Sequence, residues 1–323
     1  AGQNTGIGAN AGTSITTGDY NTLLGYNAGD AITTGNSNVA VGYNALSAED
    51  GNGSNIAIGA NSLGNQNAGA DAYNVAIGHD AGASVTTGNQ NTILGALGAD
   101  ALTTGQYNTA LGYKALSLDT QGNRAVAIGY EALANQNFTS STDNQNTAVG
   151  FHAGKEITTG TENVAIGGEA LDACTVGNGN VAVGVQALST DQNGSRSVAV
   201  GATALKVQEA SGSTSNNYYN IGVGYGAGSA ITDSYYNTIV GSNAMNSATS
   251  GCTFNTVLGI NAANDMTTSS TYNTCVGGYA GDGMTDNATN NVFVGYNTNT
   301  NSANDDYQIA LGTDMNGVGP YYI

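Results

Sequence analysis

Positive charge is scarce in this 323-residue chain, which carries five lysines and arginines against 23 aspartates and glutamates. A formal net charge of −18 repels phosphate backbones and anionic lipid, so the sequence predicts no nucleic-acid partner and no membrane insertion. Tryptophan is absent, proline occurs once, and no apolar run approaches the ~20 residues of a membrane span. The three cysteines have no regular spacing, which excludes a disulfide framework and a zinc site.

Glycine, in contrast, is abundant, with 49 residues, and valine, isoleucine and leucine recur in short, evenly spaced clusters. Glycine and β-branched residues disfavour long helices. Evenly spaced apolar clusters are not a requirement of a disordered chain. The sequence therefore predicts an all-β protein.

One five-residue motif recurs eighteen times and covers nearly the whole chain. It consists of Asn, a β-branched residue, an apolar residue, an aliphatic residue and Gly, as in NVAVG at 38–42 and NIAIG at 55–59. Most copies lie 17 residues apart. A coil of this size cannot bury its own apolar face, but stacked coils can, through parallel strands. We therefore expect a parallel β-solenoid, or β-roll, of about eighteen 17-residue coils in one repeat domain over residues 1–323.

Two positions of the motif predict backbone features. The closing glycine marks a corner that needs a special conformation or a close approach of two backbones. Asparagine opens fifteen of the eighteen copies. It predicts either a column of side chains hydrogen-bonded from coil to coil or a simple turn residue.

The strand residues of the motif predict which side faces the core. The first and third are β-branched or aliphatic in all copies, so they are expected to point into the coil. The middle residue would then face outward, yet it is alanine in ten copies and never polar. Strands that are apolar on both faces are buried on both, which predicts self-association. The predicted interface contains Ala40, Ala57, Ala76, Ala127, Ala165 and Ala182.

The pentads NVAVG and NIAIG, each followed by a small residue, resemble the head repeats of trimeric autotransporter adhesins. The longer units NVAVGYNALS at 38–47 and NTALGYKALS at 108–117 look like repeats of phage and viral tail-fibre-like proteins. The resemblance covers nearly all of the chain. It implies a left-handed β-roll that assembles as a parallel homotrimer. The coils are longer than the usual adhesin head repeat, so both families stay open.

A slower period is superimposed on the repeat. Every fourth step is longer, at 19, 21 and 23 residues, and places longer loops near 64–73, 134–145 and 206–219. These loops are either tolerated insertions or a row of contact loops on a rigid scaffold. The second interpretation makes Phe138, Tyr218 and Tyr219 the candidate surface contacts.

Residues with catalytic or metal-binding chemistry are few. His79 and His152 follow their corner glycines at different offsets, so no catalytic constellation is expected and the chain is predicted not to be an enzyme. Acidic segments at 49–54, 119–123 and 191–195 recur in the third coil of each four-coil module. They lack the full spacing of a calcium loop. We expect no cofactor, with calcium as the alternative.

Together these features predict a fibre segment at the cell surface, outside the cell or on a virion. It would be a rigid trimeric rod that presents loops to a host-cell surface or glycan. One alternative is an ice-binding β-solenoid, although the Thr-Thr pairs, such as Thr16–Thr17 and Thr33–Thr34, skip many coils. The other alternative is a purely structural spacer of a phage tail fibre.

Overall fold

The structure, a computed structural model, describes residues 2–51, 53–209, 216–300 and 306–316. Parallel β-strands joined by turns form a β-solenoid, and these ranges contain no helix. The prediction of an all-β parallel β-solenoid is thus confirmed. The chain divides into two compact units, residues 1–161 and 162–323, which are built in the same way.

The first unit contains nine three-residue strands, and eight parallel pairings join each of them to the equivalent strand of a neighbouring coil. Two shorter strands, β8 and β10, form a separate parallel pair. In chain order the strands are β1 (Thr5–Ile7), β2 (Thr22–Leu24), β3 (Val39–Val41), β4 (Ile56–Ile58), β5 (Val75–Ile77), β6 (Thr92–Leu94), β7 (Thr109–Leu111), β8 (Gly122–Asn123), β9 (Val126–Ile128), β10 (Thr142–Asp143) and β11 (Thr147–Val149).

The second unit repeats this arrangement with another nine three-residue strands and one shorter pair, β14 with β16. Its strands are β12 (Val164–Ile166), β13 (Val181–Val183), β14 (Gly194–Ser195), β15 (Val198–Val200), β16 (Asn216–Asn217), β17 (Ile221–Val223), β18 (Thr238–Val240), β19 (Thr256–Leu258), β20 (Thr274–Val276), β21 (Val292–Val294) and β22 (Ile309–Leu311). One strand of each shorter pair lies within a predicted long loop, β10 in the loop at 134–145 and β16 in the loop at 206–219. Residues 210–215 lie outside the described ranges.

The middle residue of each strand points into the coil, which reverses the assignment made from the sequence. In every three-residue strand except β1 the middle residue is buried and its two neighbours are partly or fully exposed. The six alanines of the predicted interface, Ala40, Ala57, Ala76, Ala127, Ala165 and Ala182, are at most 1% exposed within a single chain. The prediction that they face a neighbouring chain is wrong, because their own coils already cover them.

Side chains from two sides of the coil fill its interior. The sheet supplies the middle strand residue, and the turn after the corner glycine supplies leucines such as Leu46 and Leu63, which are fully buried. Where glycine takes this turn position, as at Gly29, an isoleucine three residues later fills the space. A Cβ on Gly29 would lie 2.8 Å from Cδ1 of Ile32. Alanine suits the middle strand position because two large side chains from opposite sides would collide.

The asparagines that open the strands form a buried column. The backbone N–H of Asn38 donates to Oδ1 of Asn21 at 2.9 Å, and the N–H of Asn55 donates to Oδ1 of Asn38 at 3.0 Å. Side-chain amides of the column also donate to backbone carbonyls, as Nδ2 of Asn21 does to the Gly35 carbonyl at 2.9 Å, whereas Nδ2 of Asn55 is buried without a partner. The predicted coil-to-coil column is confirmed, and it satisfies backbone donors that would otherwise be buried without a partner.

The corner glycines allow two backbones to approach closely. All eighteen have φ between 129° and 148°, a range that side-chain-bearing residues rarely adopt. At Gly167 a Cβ would lie 2.6 Å from the carbonyl oxygen of Gly184 in the next coil. Both predicted reasons for glycine, the unusual backbone and the close approach, apply at this position.

Candidate functional site

The outward side of the sheet presents four columns of side chains, in which apolar residues predominate. In the coil of β7 it consists of Tyr107, Thr109, Leu111 and Tyr113, and the same four positions recur in the other coils. They are the residue before the asparagine position, the first and third strand residues, and the residue after the corner glycine. We call these four columns the outer apolar face.

Exposed apolar side chains are concentrated on the outer apolar face. In the described ranges, every large hydrophobic residue classed as exposed lies in one of the four columns, apart from Leu118, Tyr235 and Met315. Acidic residues are almost excluded from the same columns, since Glu162 is the one among the chain's 23 that falls in them, beside two basic residues, Arg124 and Arg196. The net charge of −18 therefore lies on the other sides of the coils.

Stacked aromatic rings line both edges of this face. On one edge Tyr26 stacks on Tyr43 with centroids 5.5 Å apart, and Tyr113, Tyr130 and Phe151 form a stack with spacings of 5.4 and 5.6 Å. On the other edge, in the second unit, a longer stack contains Tyr219, Tyr236, Phe254 and Tyr272, with spacings of 5.4, 4.9 and 5.2 Å. The parallel register brings equivalent residues of successive coils into contact, so rings repeat at the coil spacing.

The predicted contact residues in the long loops are placed differently from one another. Phe138 is 6% exposed and Tyr218 is 3% exposed, so the expectation that they form surface contacts is wrong. Tyr219 is 40% exposed, and it belongs to the aromatic edge described above rather than to a projecting loop.

The recurrent acidic segments place a carboxylate inside the coil. Oδ2 of Asp119 accepts from Nε2 of Gln136 at 2.6 Å, and its Oδ1 accepts from the N–H groups of Gly122 and Phe138 at 3.0 and 3.1 Å. Asp191 accepts from Nε2 of Gln208 at 2.6 Å in the equivalent place. Both carboxylates are fully buried. Within the described ranges no group of three or more His, Cys, Asp or Glu residues is arranged to hold a metal ion.

The stability of the chain is expected to depend on the titration of Asp191. Burial raises the pKa of Asp191 to about 6, although hydrogen bonds from Gln208 and from the N–H groups of Gly194 and Asn193 lower it. Because the folded pKa lies above the unfolded value, this group favours folding below pH 4 and loses that contribution as the pH rises through 6. A shift of about two pKa units corresponds to about 3 kcal/mol in the free energy of unfolding.

Replacement of Asp191 with asparagine removes this titration while conserving size. The free energy of unfolding of the wild type and of Asp191→Asn can be measured with denaturant between pH 4 and 7.5. The stability of the wild type relative to Asp191→Asn should be greatest at low pH and should fall as the pH rises. The Leu118→Ala variant, at an exposed residue without a titratable side chain, serves as the control and should give a constant difference. A constant difference for Asp191→Asn as well would contradict the raised pKa of the Asp191 carboxyl.

The histidines and cysteines lie apart from one another. His79 Nδ1 lies 2.9 Å from Oδ2 of Asp80, and Nε2 of His152 lies 3.3 Å from Oε2 of Glu131. The three cysteines, Cys174, Cys252 and Cys275, are buried and unbridged, and burial raises the pKa of each thiol. Each of the two histidines thus lies beside a carboxylate, and each of the three cysteines is buried.

In the part of the chain that the structure describes, no helix is long and apolar enough to span a membrane.

The outer apolar face with its aromatic edges is the main surface feature of the described residues. Comparison with known protein families finds no family that matches this chain, and comparison with curated protein sequences finds no similar protein.

Proposed function

We propose that the chain is a segment of an extracellular or virion fibre that assembles as a parallel homotrimer through the outer apolar face. One observation carries the proposal: nearly all exposed large hydrophobic residues lie in four columns that hold a single acidic residue. Monomeric soluble proteins rarely expose apolar patches larger than a few hundred Å². A face of this kind therefore supports a contact with another protein.

The size of the face fits a specific interface. With nine strands in a unit, at about 4.8 Å each, and a width of about 20 Å, the face covers roughly 900 Å² per unit. A specific protein–protein interface buries about 800 Å² on each partner. One unit is thus large enough for a stable contact.

A second copy of the same chain is the partner that fits best. Its columns repeat at the same spacing, so side chains and gaps match along the whole contact in a parallel arrangement. The low charge of the face limits repulsion between two chains of net charge −18. The trimeric state follows from the resemblance to adhesin and tail-fibre repeats and is part of the proposal, as is attachment to a cell surface or glycan.

Sedimentation equilibrium tests the assembly. The wild type is expected to sediment with three times the mass of one chain. Leu94→Asp places a charge on the outer apolar face, where the leucine is 47% exposed, and should weaken association by a hundredfold or more because a buried charge would lack a partner. Leu118→Asp is the matched control, since Leu118 is 51% exposed but lies outside the four columns.

A monomeric wild type, or equal association of the two variants, would overturn the proposal. One observation favours a second candidate function, ice binding. The first residues of three successive strands are threonines that point outward, namely Thr238, Thr256 and Thr274. A monomer that produces thermal hysteresis would support it. A trimer without thermal hysteresis would favour the fibre.

A further inference from the structure

A cavity of about 300 Å³ opens on the surface of the second unit, next to the long aromatic stack. It is lined by Asn217, Tyr218, Asp233, Tyr235 and Tyr236. Tyr235 is one of the three exposed large hydrophobic residues outside the outer apolar face. The cavity volume lies at the lower end of the range for small-ligand sites, which suits a single small ring.

The aromatic part of the cavity lies at the rim of the outer apolar face. Tyr236 is stacked between Tyr219 and Phe254, at 5.4 and 4.9 Å, so neighbouring coils cover both of its faces. Tyr235 stands at 85° to Tyr236 with centroids 5.5 Å apart, lies outside the four columns and is 44% exposed. Tyr235 therefore supplies the exposed ring of the cavity.

The polar part of the cavity is held in place by the fold. Tyr218 is 3% exposed, and its hydroxyl lies 2.9 Å from Oδ1 of Asp233 and 3.1 Å from the carbonyl oxygen of Glu209, which share its one proton. The backbone carbonyl of Tyr218 accepts from the N–H of Tyr236 at 2.8 Å, and the carbonyl of Asp233 accepts from the N–H of Gly251 at 3.0 Å. Successive coils thus fix the carboxylate relative to the rings, as pre-organised recognition requires.

These groups match the chemistry of a sugar. The C–H groups of a pyranose ring pack on an aromatic face, while its hydroxyls donate to a carboxylate and bond to amide and phenol groups. A carboxylate has about four acceptor positions, so it can accept from several donors at once. None of the described residues that line the cavity is basic, and the chain carries a net charge of −18, which disfavours acidic sugars.

We infer that this cavity binds a neutral pyranose, such as an unmodified hexose of a cell-surface glycan. The inference rests on the adhesive part of the proposed function and names its ligand class. The site needs one chain only, so its binding and the assembly of the chain are measured separately.

Saturation-transfer NMR of the full chain with methyl glycosides of glucose, galactose and mannose tests the inference. At least one neutral glycoside is expected to bind, and Tyr235→Ala should weaken its binding tenfold or more. Asp233→Asn should also weaken it, because the amide accepts fewer hydrogen bonds. Leu118→Ala is the control, since Leu118 is 51% exposed, lies outside the outer apolar face and does not line the cavity, and it should bind as the wild type does.

Glucuronic acid and choline chloride are the competing probes. Binding of either one with no neutral glycoside bound, or equal loss in Tyr235→Ala and Leu118→Ala, would overturn the inference. Sedimentation of the same samples separates the two proposals. A trimer that binds no sugar contradicts the sugar site alone, and a monomer that binds sugar through Tyr235 contradicts the trimer alone.

Discussion

Replacement of Ala127 with aspartate is expected to prevent the chain from folding. Ala127 is fully buried within its own coil and pairs in register with Ala110 and Ala148 in the neighbouring coils. Aspartate would place a larger, charged side chain in this narrow interior without a partner. The cost, about 4 kcal/mol or more, is at the upper end of single-substitution effects. Circular dichroism should show the loss of β-structure or a strongly lowered melting temperature.

The neighbouring residue provides the control. Ile128 follows Ala127 in β9 but points to the outer apolar face, so Ile128→Asp should keep the fold and impair association. The pair of variants therefore decides which side of the strand faces the core. If Ala127→Asp folded like the wild type and lost only its association, the alanines would lie between chains after all.

The second large effect is expected at a corner glycine. In Gly167→Ala the new methyl group would lie 2.6 Å from the carbonyl oxygen of Gly184, at a φ of 130°. The backbone of one coil would have to move away from the next, which breaks the parallel register there. We expect a loss of about 3 kcal/mol or more in the free energy of unfolding, read from thermal or denaturant melting.

Gly168→Ala is the matched control in the adjacent position. A Cβ on Gly168 meets no atom within 4 Å, so this variant should change the free energy of unfolding by less than about 0.5 kcal/mol. Similar melting of the two variants would mean that the coils do not approach each other at the corner as described. Because both variants exchange glycine for alanine, the difference between their free energies of unfolding reports the close approach at Gly167 alone.

The fold was predictable from the sequence because its signal is repeated. The spacing of the motif, the alternation within each strand and the role of the corner glycine all recur in eighteen copies. The facing of the strand was not predictable in the same way, because both sides are apolar. One clue pointed to the right answer: Leu46 and its equivalents in the turn need space inside the coil, and alanine in the strand provides it.

The candidate site was less predictable than the fold. Aromatic residues in a long loop were expected at the surface, yet Phe138 and Tyr218 are buried. The cavity at Tyr235 depends on residues from two coils and on a hydrogen bond that no local pattern reveals. The aromatic edges, in contrast, were visible in principle, since Tyr219, Tyr236 and Tyr272 each directly precede an asparagine of the repeat.

The register of the strands has a kinetic consequence. Residues that pair in neighbouring coils, such as Val39 with Ile56, are separated by one repeat of the chain, however long the chain becomes. The loop-closure entropy of each new pairing is then the same for the last coil as for the first. Folding can proceed one coil at a time, with each finished coil acting as the template for the next. Duplication of whole coils therefore lengthens such a protein without slowing the addition of any single coil.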